Sequence, residues 1–216
     1  MSASGGLLLQ DGESVLFIGD SITDAGRRAD TYRGLGSGYV AHVADLLAAR
    51  HPDRAIAIKN QGISGNRVVD LQSRWAQDVV AHEPDWVSIS IGINDVWRWF
   101  DGNPDSHVPI GDYRRVYGEL LDATVSGTAA RLILMETSVI GEDPDNESNG
   151  MLAEYNGAIR EYAKQYDAIL VPTVQRFVDA ISRRPGFEWT ADGVHPYPPG
   201  HMLMAVTWLA AVGAAI

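Results

Sequence analysis

The sequence predicts an α/β protein, a parallel sheet with helices on both faces. Short apolar runs alternate with helically spaced apolar stripes five times along the chain. The connections are short, and strands that alternate with helices pair in parallel through crossovers. No repeat, low-complexity tract or long linker interrupts the pattern over 216 residues, so a single domain spanning 1–216 is expected.

The elements follow in order. The run 15–18 ends at Gly19 and reads as the first strand. Residues 39, 40, 43, 46 and 47 are apolar at helical spacing, predicting a helix over 39–50 that His51-Pro52-Asp53 stops. A second strand is expected at 55–59. Val68, Leu71, Trp75, Val79 and Val80 form the next helical stripe, ended near Pro84. Strands at 86–91, 132–135 and 168–171 alternate with helices at 113–125 and 151–166. Helices around 173–183 and 199–213 close the chain. Longer loops are expected at 19–38, 97–111 and 137–150, each after a strand, where open α/β sheets bind ligands.

Composition excludes several functions. The 17 basic and 28 acidic residues leave a net charge of −11, which repels phosphate backbones and anionic lipid, so no nucleic-acid and no membrane partner is expected. There is no cysteine, which removes disulfides, thiol nucleophiles and thiolate metal sites without fixing a compartment. The stretch 1–10 has no basic region of a signal peptide, and the apolar stretch 202–216 is shorter than the ~18 residues of a membrane span. A soluble cytoplasmic protein is the expectation. The remaining histidines, His42, His51, His82, His107 and His201, show no ligand spacing, so neither a metal nor a cofactor is expected.

Four segments carry chemistry. Gly19-Asp20-Ser21-Ile22-Thr23-Asp24 follows the first strand and can present the Ser21 hydroxyl on a rigid support, although Ser21 or Thr23 can equally cap a helix. Asn60-Gln61-Gly62-Ile63-Ser64-Gly65 follows the second strand and Gly92-Ile93-Asn94-Asp95 the third. The backbone N–H of Gly62 and the amide of Asn94 can join the N–H of Ser21 around an oxyanion, or each can simply be a turn residue. In Asp192-Gly193-Val194-His195 the spacing lets Asp192 orient His195, or makes a plain structural hydrogen bond. Together they supply the parts of one acyl-transfer site.

These segments resemble the blocks of the SGNH, or GDSL-like, hydrolase family, in the family's order from position 19 to 196. The resemblance implies an SGNH hydrolase fold, a flavodoxin-like three-layer α/β/α sandwich around a five-stranded parallel sheet. It implies a triad of Ser21, Asp192 and His195 and an oxyanion hole of Ser21, Gly62 and Asn94. Gly36-Ser37-Gly38-Tyr39-Val40-Ala41, Gly62-Ile63-Ser64-Gly65-Asn66, Pro84-Asp85-Trp86-Val87-Ser88-Ile89, Gly92-Ile93-Asn94-Asp95-Val96-Trp97-Arg98 and Gly200-His201-Met202 are similar to the bacterial intracellular acetylxylan esterases of that family. Those enzymes deacetylate xylo-oligosaccharides in the cytoplasm.

Beside the catalytic segments, Trp97, Trp99 and Tyr197 are candidates for contact with substrate, as aromatics that stack on sugars or wall a small acyl pocket; packing under a loop is the alternative for Trp97 and Phe100. Asp20, Asp24 and Asp95 are assigned to loop hydrogen bonding. The segments 137–150 and 184–191 carry no resemblance and are where selectivity can differ. The expectation is a serine carbohydrate esterase acting on a small acetylated carbohydrate, without cofactor. The rivals are a thioesterase, a lysophospholipase-like or broad short-chain esterase, and a non-catalytic carbohydrate-binding protein. Oligomeric state is left open, a homo-oligomer included.

Overall fold

The computed structural model describes residues 6–214. The ends of the two terminal stretches read above, 1–5 and 215–216, lie outside the described residues. The elements are β1 (Ser14–Gly19), α1 (Ser21–Asp24), α2 (Tyr39–Arg50), β2 (Ala57–Asn60), α3 (Val68–Asp78), β3 (Trp86–Ser90), α4 (Ile93–Phe100), α5 (Ile110–Gly127), β4 (Arg131–Met135), α6 (Glu147–Gln165), β5 (Ile169–Val171), α7 (Thr173–Arg183) and α8 (Pro198–Ala211). The five strands pair in parallel in the order β2-β1-β3-β4-β5, the flavodoxin-like arrangement.

The inner strands are largely apolar because both of their faces are covered, with Ser88 and Ser90 of β3 as buried polar exceptions. All of β3 is buried, and β1 is buried after its first residue. At the edge, β2 alternates and only Asn60 is buried. Helices α2, α7 and α8 pack on one another, and α3, α4, α5 and α6 form a second group, so the sheet is sandwiched between two helical layers. On the α8 side, Phe17 and Ser88 lie side by side in the β1–β3 register. The Trp208 ring sits 5.2 Å from Phe17, and its Nε1–H donates to Ser88 Oγ at 3.0 Å. The buried indole thus fills the core without leaving its N–H unpaired.

The parallel strands all end at one edge, and the first three turn there into the segments that carry Ser21, Asn60 to Asn66, and Asn94. Most expected elements lie where their patterns put them. The exception is 97–111, expected as a loop. Residues 93–100 are α4, and Trp97, Trp99 and Phe100 stand on a helix. Gly92, at φ 132°, makes the sharp strand-to-helix turn there, a conformation L side chains rarely adopt. The segment 137–150 is also less free than a loop. Thr137 to Ile140 are buried above β4, and α6 begins at Glu147.

Helix α8 is tied to α2 by a histidine. His201 Nδ1 accepts the N–H of Tyr39, the first residue of α2, at 3.2 Å. Burial, reinforced by the neighbouring His42 and His195, pushes the His201 imidazole down to about 4. The neutral ring is the one that accepts, so this contact is intact above the unfolded value near 6.5 and is lost as pH falls through about 4. His201→Gln keeps an acceptor that does not titrate. Its stability deficit relative to wild type should shrink by about 3 kcal/mol between pH 7 and pH 4. Urea denaturation of both proteins across that range measures it, and a deficit independent of pH would refute the linkage.

Candidate active site

Ser21 is the first residue of α1, directly after β1. Asp20 caps this short helix by accepting the Ile22 N–H at 2.9 Å. The cap holds the serine at the strand edge with its own N–H engaged by nothing among the described residues. Ser21 Oγ lies 2.8 Å from His195 Nε2, and His195 Nδ1 lies 2.7 Å from Asp192 Oδ2. Asp192 Oδ1 also accepts the N–H groups of Val194 and His195, at 3.0 and 2.8 Å. Burial raises the Asp192 carboxyl, but these donors outweigh it and hold the carboxyl below its usual range. An ionised Asp192 fixes the proton on Nδ1 and leaves Nε2 as the acceptor for the serine proton. The structure thus brings Ser21, His195 and Asp192 into one chain. That chain is open to solvent, with the His195 and Asp192 side chains 40% and 48% exposed.

A contact outside the sequence motifs holds the second half of this chain. Glu142 Oε1 accepts the N–H of Thr190 at 2.7 Å and its hydroxyl at 3.1 Å, and the N–H of Trp189 as well. Gly141 donates to Gly193 O. The segment 137–150 therefore braces the loop that bears Asp192 and His195. Nothing in the sequence marks Glu142 for this.

Gly62 must be corrected. Its N–H was expected to face an oxyanion, but it donates to the buried side chain of Asn60, at 2.9 Å to Oδ1. Its carbonyl accepts from Arg27 Nε at 2.6 Å. Glycine is needed here for a different reason. A Cβ would sit 2.3 Å from Asp24 N and 2.8 Å from Asp24 Cα, inside the backbone of α1. Three residues on, the N–H of Gly65 donates to nothing among the described residues. Its neighbour Asn66 accepts at O from Asn94 Nδ2, at 3.0 Å, which leaves the second hydrogen of the Asn94 amide free.

The aromatic candidates separate. The Trp97 ring stands edge-on to His195, 6.1 Å between centroids. Trp99, two residues along the helix, turns to another face, lies against His107 and is 51% exposed. Positions two apart on a helix diverge, so Trp99 does not share the face of α4 that Trp97 turns to His195. Tyr197 is exposed at the start of α8. The other acids make local hydrogen bonds: Asp24 accepts from Arg27 N and Ser64, and Asp95 from Val68 N. Burial pushes the Asp20 and Asp95 carboxyls up to about 7. At neutral pH these groups are partly protonated, which lessens the cost of burying them.

The comparisons with known proteins agree with this architecture. Residues 17–203 match the GDSL-like lipase/acylhydrolase family. The chain belongs to that family. It is 38% identical over 208 residues to the acetylxylan esterase of Geobacillus stearothermophilus, covering 94% of each chain. The crystal structure of that esterase superposes with a TM-score of 0.89 at 37% identity, covering 96% of this chain and 97% of the other. An α/β hydrolase enzyme from the metagenome of Lake Arreo, Spain, superposes at 0.91 with 35% identity over 97% and 99%. Solved variants of the Geobacillus enzyme include catalytic mutants of one serine, one aspartate and one histidine. The protein is an esterase homologue within a family of serine hydrolases. No helix among the described residues is long and apolar enough to cross a membrane.

The close approach at Gly62 is testable. Gly62→Ala should lose about 1–3 kcal/mol of stability, because backbone must move to admit the methyl group. Ester hydrolysis should fall with it as α1 shifts. Urea denaturation and turnover of 4-nitrophenyl acetate measure both. Wild-type stability in the variant would show that the turn is not tightly packed on α1.

Proposed function

We propose that the protein is a serine esterase that removes acetyl groups from xylo-oligosaccharides. The observation that carries this reading is the continuous Ser21–His195–Asp192 hydrogen-bond chain at 2.8 and 2.7 Å. Ser21 Oγ attacks the acetyl carbonyl carbon as His195 Nε2 takes the serine proton. The charge that develops on the carbonyl oxygen is met by the N–H of Ser21, the free hydrogen of the Asn94 amide and the N–H of Gly65, in place of Gly62. Collapse of this intermediate breaks the ester bond, and His195 returns the proton to the departing sugar oxygen. Water, deprotonated by His195, then attacks the acetyl-serine and frees acetate and Ser21. Asp192 stays ionised throughout and steadies the imidazolium.

The substrate assignment is supported by the Geobacillus relatives, one of which is described as an acetyl-xylooligosaccharide esterase, and by the polar cleft beside Asn66. An apolar group placed there would strip water from polar groups without replacing their hydrogen bonds, whereas the hydroxyls of a sugar replace them. Cytoplasmic work on xylan fragments rests on the resemblance to the intracellular enzymes.

Acetate release from acetylated xylo-oligosaccharides, set against acetyl and octanoyl 4-nitrophenyl esters, tests the reading. The expected result is acetate from the sugars and a strong preference for acetyl over octanoyl. Preference for octanoyl would favour a thioesterase or lysophospholipase-like enzyme. Ser21→Ala should fold normally and retain only the effect of binding and the oxyanion donors, roughly 10³-fold over water. Near-wild-type turnover would end the serine mechanism. Asn94→Ala should lose on the order of 10²–10³ in kcat with little change in KM, since its donor acts in the transition state. A change confined to KM would make Asn94 a ground-state binding residue instead.

A further inference from the structure

Asn94, Trp97 and Arg98 are spaced i, i+3 and i+4 along α4, so they share one face of the helix. Asn94 reaches the Asn66 carbonyl and Trp97 stands beside His195. The Arg98 guanidinium lies 5.5 Å from the Trp97 ring centroid. Its Nη2 faces Gly65, being 3.8 Å from where a Cβ on that glycine would sit. These contacts link the imidazole, through Trp97 and Arg98, to the Gly65–Asn66 turn. Arg98 and that turn line a cleft of about 450 Å³, together with Arg67, Asp70, Asn103 and Ser106. That volume is within the roughly 300–1,000 Å³ of small-ligand sites.

The lining is polar, and its charges are already balanced. Arg67 is held by Asp70 and by the Ser106 carbonyl, with Nε and Nη2 on the two carboxylate oxygens at 2.9 and 3.0 Å and Nη1 on Ser106 O at 2.8 Å. Arg98 pairs through Nη1 with Asp101. An anionic ligand would have to compete with both carboxylates. Arg98 Nε and Nη2, however, donate to nothing among the described residues. A preset guanidinium with two unused donor nitrogens, in a charge-balanced polar cleft one helical turn from Asn94, suits the hydroxyls of a neutral sugar.

We propose that this cleft is the subsite for the sugar on the alcohol side of the ester, and that Arg98 binds its hydroxyls through Nε and Nη2. The proposal rests on the esterase reading above and names where the leaving group lies. An ester whose alcohol is 4-nitrophenol carries no hydroxyls for Arg98 to hold, so the two substrates separate the roles.

Wild type, Arg98→Ala and Arg98→Lys are assayed on acetylated xylobiose and on 4-nitrophenyl acetate. For Arg98→Ala, the ratio of kcat/KM on the sugar to kcat/KM on the nitrophenyl ester should fall roughly 10- to 100-fold, the worth of one or two hydrogen bonds from a charged donor. The loss on the sugar should lie in KM, and Arg98→Lys should recover part of it. Should Arg98→Ala not fold, Arg98→Gln, which is shorter than arginine and keeps part of its donor capacity, carries the same comparison. An unaltered ratio in the folded variants overturns the subsite while leaving the esterase intact. A wild-type enzyme that cleaves nitrophenyl acetate but no acetylated xylo-oligosaccharide overturns the substrate assignment and the subsite together.

Discussion

One buried amide holds the catalytic edge together. Asn60, at the end of β2, donates through Nδ2 to the carbonyls of Thr23 and Leu35, at 2.7 and 2.9 Å, and accepts the Gly62 N–H at Oδ1. Three backbone groups from three segments are satisfied by one side chain that is itself only 3% exposed. Each would carry a desolvation cost if left unpaired. The turn after β2 is therefore locked to the helix that presents Ser21. Arg74 strengthens the same joint, donating to the carbonyls of Gly19 and Gln61 at 3.2 and 2.8 Å. The serine is placed by a strand, a short capped helix and a cross-linked turn that move as one body.

The other half of the site is held differently. Asp192 and His195 ride on a connection between α7 and α8, bonded to Glu142 and Gly141 from the segment after β4. Helix α8 is in turn joined to α2 by His201. The imidazole reaches the serine through two separate supports on opposite sides of the sheet edge. The first support comes from a segment outside the motif pattern and the second from the His201 and Tyr39 segments that carry it, and both stand behind the 2.8 Å contact between Ser21 and His195.

Legibility in the sequence followed the physics of each element. Helices 39–50 and 173–183 coincide with α2 and α7 because each has a clear apolar face and a clear stop. The α4 helix was hidden. It starts on a strained glycine rather than a capping side chain, and its eight residues are shorter than the roughly 11–18-residue window over which helical periodicity is read. For Gly62, the residue type was legible but the direction of its N–H was not, because that is set by Asn60 two positions earlier. An Asn followed two residues later by a turn glycine is a readable sign of such a side-chain-to-backbone bond. Glu142 left no sign, since its partner Thr190 is 48 residues distant in the chain. The family resemblance pointed to Ser21, His195 and Asp192, which the structure brings into one hydrogen-bond chain; the scaffolding contacts came only with the three-dimensional arrangement.

The exposure of Asp192 and His195 has a kinetic meaning. A histidine that faces bulk solvent needs no lid to open before hydrolytic water arrives, and none to open before acetate departs. Turnover on small esters would then be governed by bond making and breaking rather than by a gating motion, so solvent viscosity would have little hold on kcat. The same openness forgoes the gain that water exclusion brings to electrostatic catalysis. What remains on the serine side is the Asn60 joint, which fixes the turn after β2 against the helix that presents Ser21.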